Sequence, residues 1–137
     1  MKLKTLFAAL VLSFCSNFVA AAEPPLFYGQ GYSFVIQDPA AFVAAMDAYR
    51  ASPTGSKIPN TVVLSQNIVN GDYAGTHGVN VFYPTTASMD QSRAMNANSA
   101  DWMTFLSAIA AVSTPGGENL FAIERAKVKT APGDLIN

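Results

Sequence analysis

Thr61-Val-Val-Leu-Ser-Gln-Asn-Ile-Val-Asn70, then Gly71-Asp-Tyr-Ala-Gly-Thr76, then His77-Gly-Val-Asn-Val-Phe-Tyr83 form the stretch that decides the fold of this chain. The outer two segments are apolar and β-branched, which suits a pleated, half-buried surface. The middle one holds Gly71, Asp72 and Gly75, which give a loop its backbone freedom. A β-hairpin is therefore expected. Alternation puts Val62, Leu64 and Ile68 on one face of the first strand and Val63, Ser65, Asn67 and Val69 on the other. In the second strand Val79, Val81 and Tyr83 oppose Asn80 and Phe82.

Working upstream, Tyr32-Ser-Phe-Val-Ile-Gln37 reads as a strand with Tyr32, Phe34 and Ile36 on one face. Asp38-Pro39 then starts a helix, because the carboxylate accepts from free first-turn amides and proline gives up an amide that had no partner. Phe42, Val43, Met46 and Tyr49 share its apolar stripe. Ser52-Pro-Thr-Gly55 ends that helix, and a polar loop containing Pro59 leads to the hairpin.

Working downstream, Ser88-Met-Asp-Gln91 has capping-box spacing and predicts a helix to about Met95. Asn96-Ala-Asn-Ser99 breaks it, and Ala100 to Val112 forms a second segment whose Trp102, Phe105, Leu106, Ile109 and Val112 repeat at three and four. Ser113-Thr-Pro-Gly-Gly117 reads as a stop, and Asn119 to Val128 as the last strand. The order is strand, helix, strand, strand, helix, strand. The expected class is α+β: a ferredoxin-like βαββαβ unit, a four-stranded antiparallel sheet with its helices on one face. The opposite face would present Ser33, Val35 and Gln37 beside the hairpin's second face, with no charge. A solvated sheet carries Lys, Glu and Thr, so a second subunit or an enclosed cavity is expected there.

Met1 to Ala22 carries Lys2 and Lys4, the apolar run Leu6 to Phe14 and the small residues Val19-Ala-Ala-Ala22. This is the pattern of a secretory signal peptide, with cleavage after Ala22 or Ala21. The rival, a retained anchor, is interrupted by Ser13, Ser16 and Asn17. A lipoprotein motif at Leu12-Ser-Phe-Cys15 has bulky Phe14 where a small residue is wanted. The expectation is a secreted, periplasmic protein, free of the membrane after cleavage. Residues 23–31 are an extended lead-in that forms either an extra strand or an arm across a partner, residues 32–129 the domain, and residues 130–137 a loose tail.

Cleavage leaves about 115 residues, enough for one core. It removes Cys15, the only cysteine, so the mature chain has neither disulfide nor thiol chemistry. Loss of Lys2 and Lys4 takes the net charge from −1 to −3. Nucleic acid is excluded as a partner, since basic residues cluster only at Arg125, Lys127 and Lys129, which alternate along the last strand. With 12% charged and 50% hydrophobic residues, part of the apolar surface should be covered by another subunit.

Chemistry-bearing motifs are few. His77, the only histidine, is a candidate general base, or a structural hydrogen-bonder where the loop joins the strand. One histidine and scattered carboxylates make no metal site, and Gly71 and Gly75 join two strands instead of opening a helix, so they form no phosphate loop. Trp102 is either a core residue of its stripe or a platform for an aromatic ligand.

Taken together, the turn Gly71-Asp-Tyr-Ala-Gly-Thr-His77, the strand Val79-Asn-Val-Phe-Tyr-Pro84, the capped helix from Ser88 and the sequel Ser99-Ala-Asp-Trp-Met-Thr-Phe-Leu106 resemble the dimeric α+β barrel superfamily. The nearest likeness is to antibiotic-biosynthesis-monooxygenase-like proteins. The resemblance spans Tyr32 to about Lys127 and implies a homodimer with a pocket between sheet and helices in each subunit. The superfamily's haem-degrading members use Asn, Trp and His. Here Tyr83 stands near the Trp position and Ser88 to Val112 contains no histidine, which argues against that activity and leaves no cofactor expected. Its cofactor-free oxygenases hold phenolic substrates with Trp, Tyr, Asn or Arg, and this implies Asn67, Asn80, Phe82, Tyr83 and Trp102 as ligand contacts, with Tyr83 and His77 as the catalytic candidates. Three functions follow in order: a binder of a small, mostly apolar or aromatic ligand; a cofactor-independent monooxygenase acting on a phenol or quinol; and a non-catalytic interaction module.

Overall fold

The computed structural model describes residues 27–125. The leader, the first residues of the lead-in, Lys127, Lys129 and the tail lie outside them. The elements are β1 (Phe27–Ile36), α1 (Pro39–Ala51), a 3-10 turn (Gly55–Lys57), β2 (Thr61–Gln66), β3 (His77–Tyr83), α2 (Thr86–Ala97), α3 (Ala100–Ala110) and β4 (Ser113–Ile123). The four strands form one antiparallel sheet in the order β2-β3-β1-β4. This is the ferredoxin-like arrangement, with the second helix divided in two.

Register divides the sheet cleanly. Tyr28, Gln30, Tyr32 and Phe34 of β1 pair with Tyr83, Val81, Val79 and His77 of β3, and Val62 and Leu64 of β2 pair with Val81 and Val79. Paired residues share a face, and this one turns toward the helices. Ile36, Phe42 and Ile109 make the buried centre, with Phe34, Met46, Leu64, Val79, Phe105 and Leu106 packed around it. Phe42 is 1% exposed and meets Phe34 edge to face, with ring centroids 5.4 Å apart. The opposite face carries Val63, Ser65, Asn80, Phe82, Ser33, Val35, Asn119 and Phe121, none of them charged.

Helix α1 begins as its sequence demands. Asp38 Oδ1 accepts from the Ala41 amide at 3.0 Å, with Pro39 in the first turn. Ser99 caps α3 in the same way by accepting from the Trp102 amide at 3.1 Å. The box that starts α2 lies three residues earlier than the spacing of Ser88 and Gln91 implies. Thr85 Oγ1 accepts from the Ser88 amide, and Ser88 Oγ accepts from the Thr85 amide. Val43, expected on the buried stripe of α1, is exposed, and Ala45 packs inward instead.

Strand limits differ more. β1 starts at Phe27, inside the expected lead-in, because Gly29 and Gly31 leave room for the Phe121 and Asn119 side chains of β4 to lie across them. β4 starts at Ser113, so the segment read as a stop is strand. Pro115 is tolerated because β4 is an edge, and Ser33 Oγ bridges the local irregularity by donating to the Gly117 carbonyl and accepting from its amide. β2 ends at Gln66, short of the expected Asn70. Asn67 turns into the loop, where its amide donates to the Thr76 carbonyl and its side chain to the Gly75 carbonyl, both at 2.9 Å. That leaves Ile68 and Val69 83% and 89% exposed, off either sheet face.

Candidate functional site

Between the sheet and the helices lies a cavity of about 650 Å³. Its inner part is apolar, built on Phe34, Phe42, Met46, Val79, Phe105 and Ile109. Its polar groups are Tyr32 and Gln30 from β1, Tyr83 from β3, Tyr49 and Arg50 from the last turn of α1, Asn60 before β2, and Ser92, Arg93 and Asn96 from α2. Trp102 forms an aromatic wall with Tyr49 and Phe105, at centroid distances of 5.2 and 5.1 Å.

The polar side chains are interlocked. Tyr49 donates to Asn96 Oδ1 at 2.5 Å, joining α1 to α2. Arg50 Nη1 donates to Asn60 Oδ1 at 2.9 Å and Nη2 to the Asn60 carbonyl at 3.3 Å. Asn60 is itself set in place by the turn after the 3-10 helix, in which its amide donates to the Ile58 carbonyl at 2.9 Å and Ile58 is buried. Asn60 and Tyr83 both line the cavity.

Burial governs the phenols. It pushes Tyr32 up to about 12, helped by the neighbouring Tyr83 and Glu118 and opposed by Arg93. Tyr83 is raised for the same first reason, against the pull of Arg93 and Asn60, and burial also raises Tyr49. All three are neutral hydrogen-bonding phenols near neutral pH. Arg93 is a charge that both Tyr32 and Tyr83 feel. No carboxylate or histidine is among the described residues lining the cavity. Among the described residues, no group of three or more His, Cys, Asp or Glu is placed to hold a metal ion.

Of the residues singled out from the sequence, the cavity brings together Tyr83 and Trp102. Asn80 and Phe82 project from the other sheet face, where Phe82 meets Phe121 edge to face at 6.1 Å. Asn80 there borders a shallow recess of about 260 Å³ with Gly31, Tyr73 and Asn119. Asn67 braces the hairpin loop. His77 is buried at the strand start, its Nδ1 2.8 Å from Thr76 Oγ1, and does not line the cavity. Tyr32 and Tyr49 were visible as members of apolar stripes. Arg50, Asn60, Arg93 and Asn96 left no sequence signal, because only tertiary packing gathers them.

Comparison with protein-family models finds no match, and comparison with curated protein sequences finds none. Solved structures are similar in shape. SnoaB, a cofactor-independent oxygenase from Streptomyces nogalater, aligns over 76% of this chain and 98% of its own at 14% identity, with a TM-score of 0.50. The fold is ferredoxin-like α+β. A dimeric protein of unknown function and ferredoxin-like fold from Bacteroides fragilis aligns over 72% of this chain and 96% of its own, at 9% identity and a TM-score of 0.42. An antibiotic biosynthesis monooxygenase aligns over 74% and 99%, at 14% identity and a TM-score of 0.39.

Proposed function

We propose that the protein binds a small, mostly apolar, aromatic molecule in the cavity between sheet and helices. The carrying observation is the cavity itself: large enough for a few fused rings, walled by Trp102, Phe105 and Phe34, and supplied with neutral phenols, amides and arginines. The working form is a homodimer. Its support is the uncharged second face of the sheet, where Val63 is 44% exposed and Phe27 42% exposed. Residues 1–22 act as a cleaved leader that delivers the protein to the periplasm. The test is native mass spectrometry of protein purified from that compartment. A dimer with a reproducible added mass is the expected result; a clean monomer that takes up no aromatic compound would overturn the reading.

A second reading, a cofactor-independent monooxygenase acting on a phenol or quinol, is favoured by the likeness to SnoaB in fold. With no carboxylate or histidine among the described residues of the cavity to take its proton, such a substrate would have to arrive ionised or be ionised against Arg93. Oxygen-dependent turnover should then fall sharply in Tyr83→Phe and stay unchanged in Asn80→Ala, whose side chain faces away. Absence of oxygen uptake with a bound phenol or quinol would dismiss this reading and leave the binder.

A further inference from the structure

The charge lining the cavity is one-sided. Arg50 and Arg93 line it, and among the described residues no Asp, Glu or Lys does. Asp47 and Asp90, one turn before each arginine, stand outside the lining. Asp101 accepts from the Thr54 amide at 3.1 Å, and Glu118 borders the recess on the opposite sheet face. In a chain with 8 basic and 9 acidic residues, two positive charges therefore share one cavity whose described lining holds no negative charge.

The fold brings both arginines to one end. Tyr49, next to Arg50 on α1, donates at 2.5 Å to Asn96, about one turn after Arg93 on α2. The bond that ties these two helices thus draws the two arginine positions together. Both arginines are exposed, which sets them at the mouth, whereas Phe34, Phe42, Phe105 and Ile109 make the interior apolar. Arg50 is held in place by donating to the neutral Asn60 at 2.9 and 3.3 Å, and its remaining N–H groups are left for a ligand.

We infer that Arg50 and Arg93 make this mouth a carboxylate-binding site, so that the molecule taken up is an aromatic acid, its rings in the apolar interior and its carboxylate between the two guanidinium groups. This rests on the cavity being the binding site. A small inorganic anion would leave the apolar interior unfilled, and a neutral hydrocarbon would leave both arginines to water. An aromatic acid satisfies the two ends at once, and the planar guanidinium fork matches a carboxylate in geometry as well as in charge.

The test uses three probes of one ring system, measured by calorimetry on the purified protein near neutral pH: 2-naphthoate, 2-naphthamide, which has nearly the same shape without the charge, and naphthalene. The wild type should bind naphthoate more tightly than naphthamide, by about five-fold in Kd for each arginine at low salt. That preference should shrink as salt rises. Arg93→Gln should lose about five-fold in naphthoate affinity while naphthamide and naphthalene bind as before, and Arg93→Lys, which keeps the charge, should keep most of the preference. The double variant Arg50→Gln/Arg93→Gln should bind naphthoate and naphthamide alike. A naphthoate-to-naphthamide ratio near one in the wild type, or a preference that survives in the double variant, would overturn the carboxylate site and leave the cavity reading intact. So would a fall of all three affinities together in the variants, because the arginines would then act on structure alone. Failure of all three probes to bind the wild type would overturn the cavity reading, and the carboxylate site with it.

Discussion

Gly55 packs against the backbone carbonyl of Tyr49 so closely that a Cβ there would collide with it. The contact folds the α1–β2 connection back on the end of α1, with the Gly55 amide donating to Ser52 Oγ at 3.0 Å, and so brings Ile58 and Asn60 to the cavity. Gly55→Ala should lower stability by about 1–3 kcal/mol, since a backbone oxygen, unlike a side-chain tip, cannot swing aside. Gly29→Ala, which meets the Phe121 ring, should cost less because that ring can turn outward. Urea unfolding of both variants checks the order; equal losses would contradict it.

The same connection is held from the other side by α3. Asp101 Oδ2 accepts from the Thr54 amide at 3.1 Å, and Ser99 Oγ donates to Thr54 Oγ1 at 2.9 Å. The backbone hydrogen bond from Thr54, before all other causes, draws the Asp101 carboxyl below its ordinary value of 3.8. A depressed folded-state pKa means stability that is present above 3.8 and lost as pH falls through the lower folded value. Asp101→Asn should therefore be less stable than wild type at neutral pH, with the gap closing in acid. Thermal melts of the two proteins across that range measure it; a gap independent of pH would mean the carboxylate's charge plays no part.

Tyr32 carries the opposite prediction at high pH. Its phenol ionises near 10.0 when exposed and is pushed up to about 12 here, chiefly by burial. Between those values the folded state binds a proton that the unfolded state has released, so stability falls as pH rises through the interval. Tyr32→Phe should flatten that fall, as read from urea midpoints at successive alkaline pH values. An unchanged slope would locate the alkaline sensitivity elsewhere.

Trp102 is the only tryptophan in the chain, and it lines the cavity beside Tyr49. Its fluorescence should respond to any ligand that enters, saturating at the stoichiometry calorimetry gives. A calorimetrically bound aromatic probe that leaves the emission untouched would place binding away from this wall.

Val63 stands on the uncharged face of β2, in register with Asn80. If two copies meet through this face, Val63→Lys should shift sedimentation toward the monomer while circular dichroism stays unchanged, because burying an unpaired ammonium is costly. A dimer that persists would move the interface to another surface.

The element order was legible because each helix has a local start signal and each strand a local period. Asp38-Pro39, Ser99 and the alternation of Val79, Val81 and Tyr83 all act within a few residues. What misled were features whose meaning depends on distant partners. Gly29 and Gly31 read as an extended lead-in, an extra strand or an arm, until Phe121 and Asn119 are seen lying over them. Pro115 and Gly116 read as a stop until β4 is seen to be an edge. Ile68 and Val69 read as strand, yet Asn67 ends the pairing just before them. The site divides in the same way. Tyr83 and Trp102 could be picked out as aromatic residues in regular patterns, whereas Arg50 and Asn60 become functional candidates only through a contact ten residues apart in sequence.

The central place of β1 also sets the order in which this chain can fold. The strand is made early, but its neighbours are β3, from His77, and β4, from Ser113. A ribosome must release nearly the whole domain before the sheet can close, and pairings so distant in sequence form slowly. Until then β1 waits with at most one of its two neighbours in place, and the sheet stays open along the edge that β4 will cover. The topology itself thus makes closure of the sheet a late step, set by the last strand to be made.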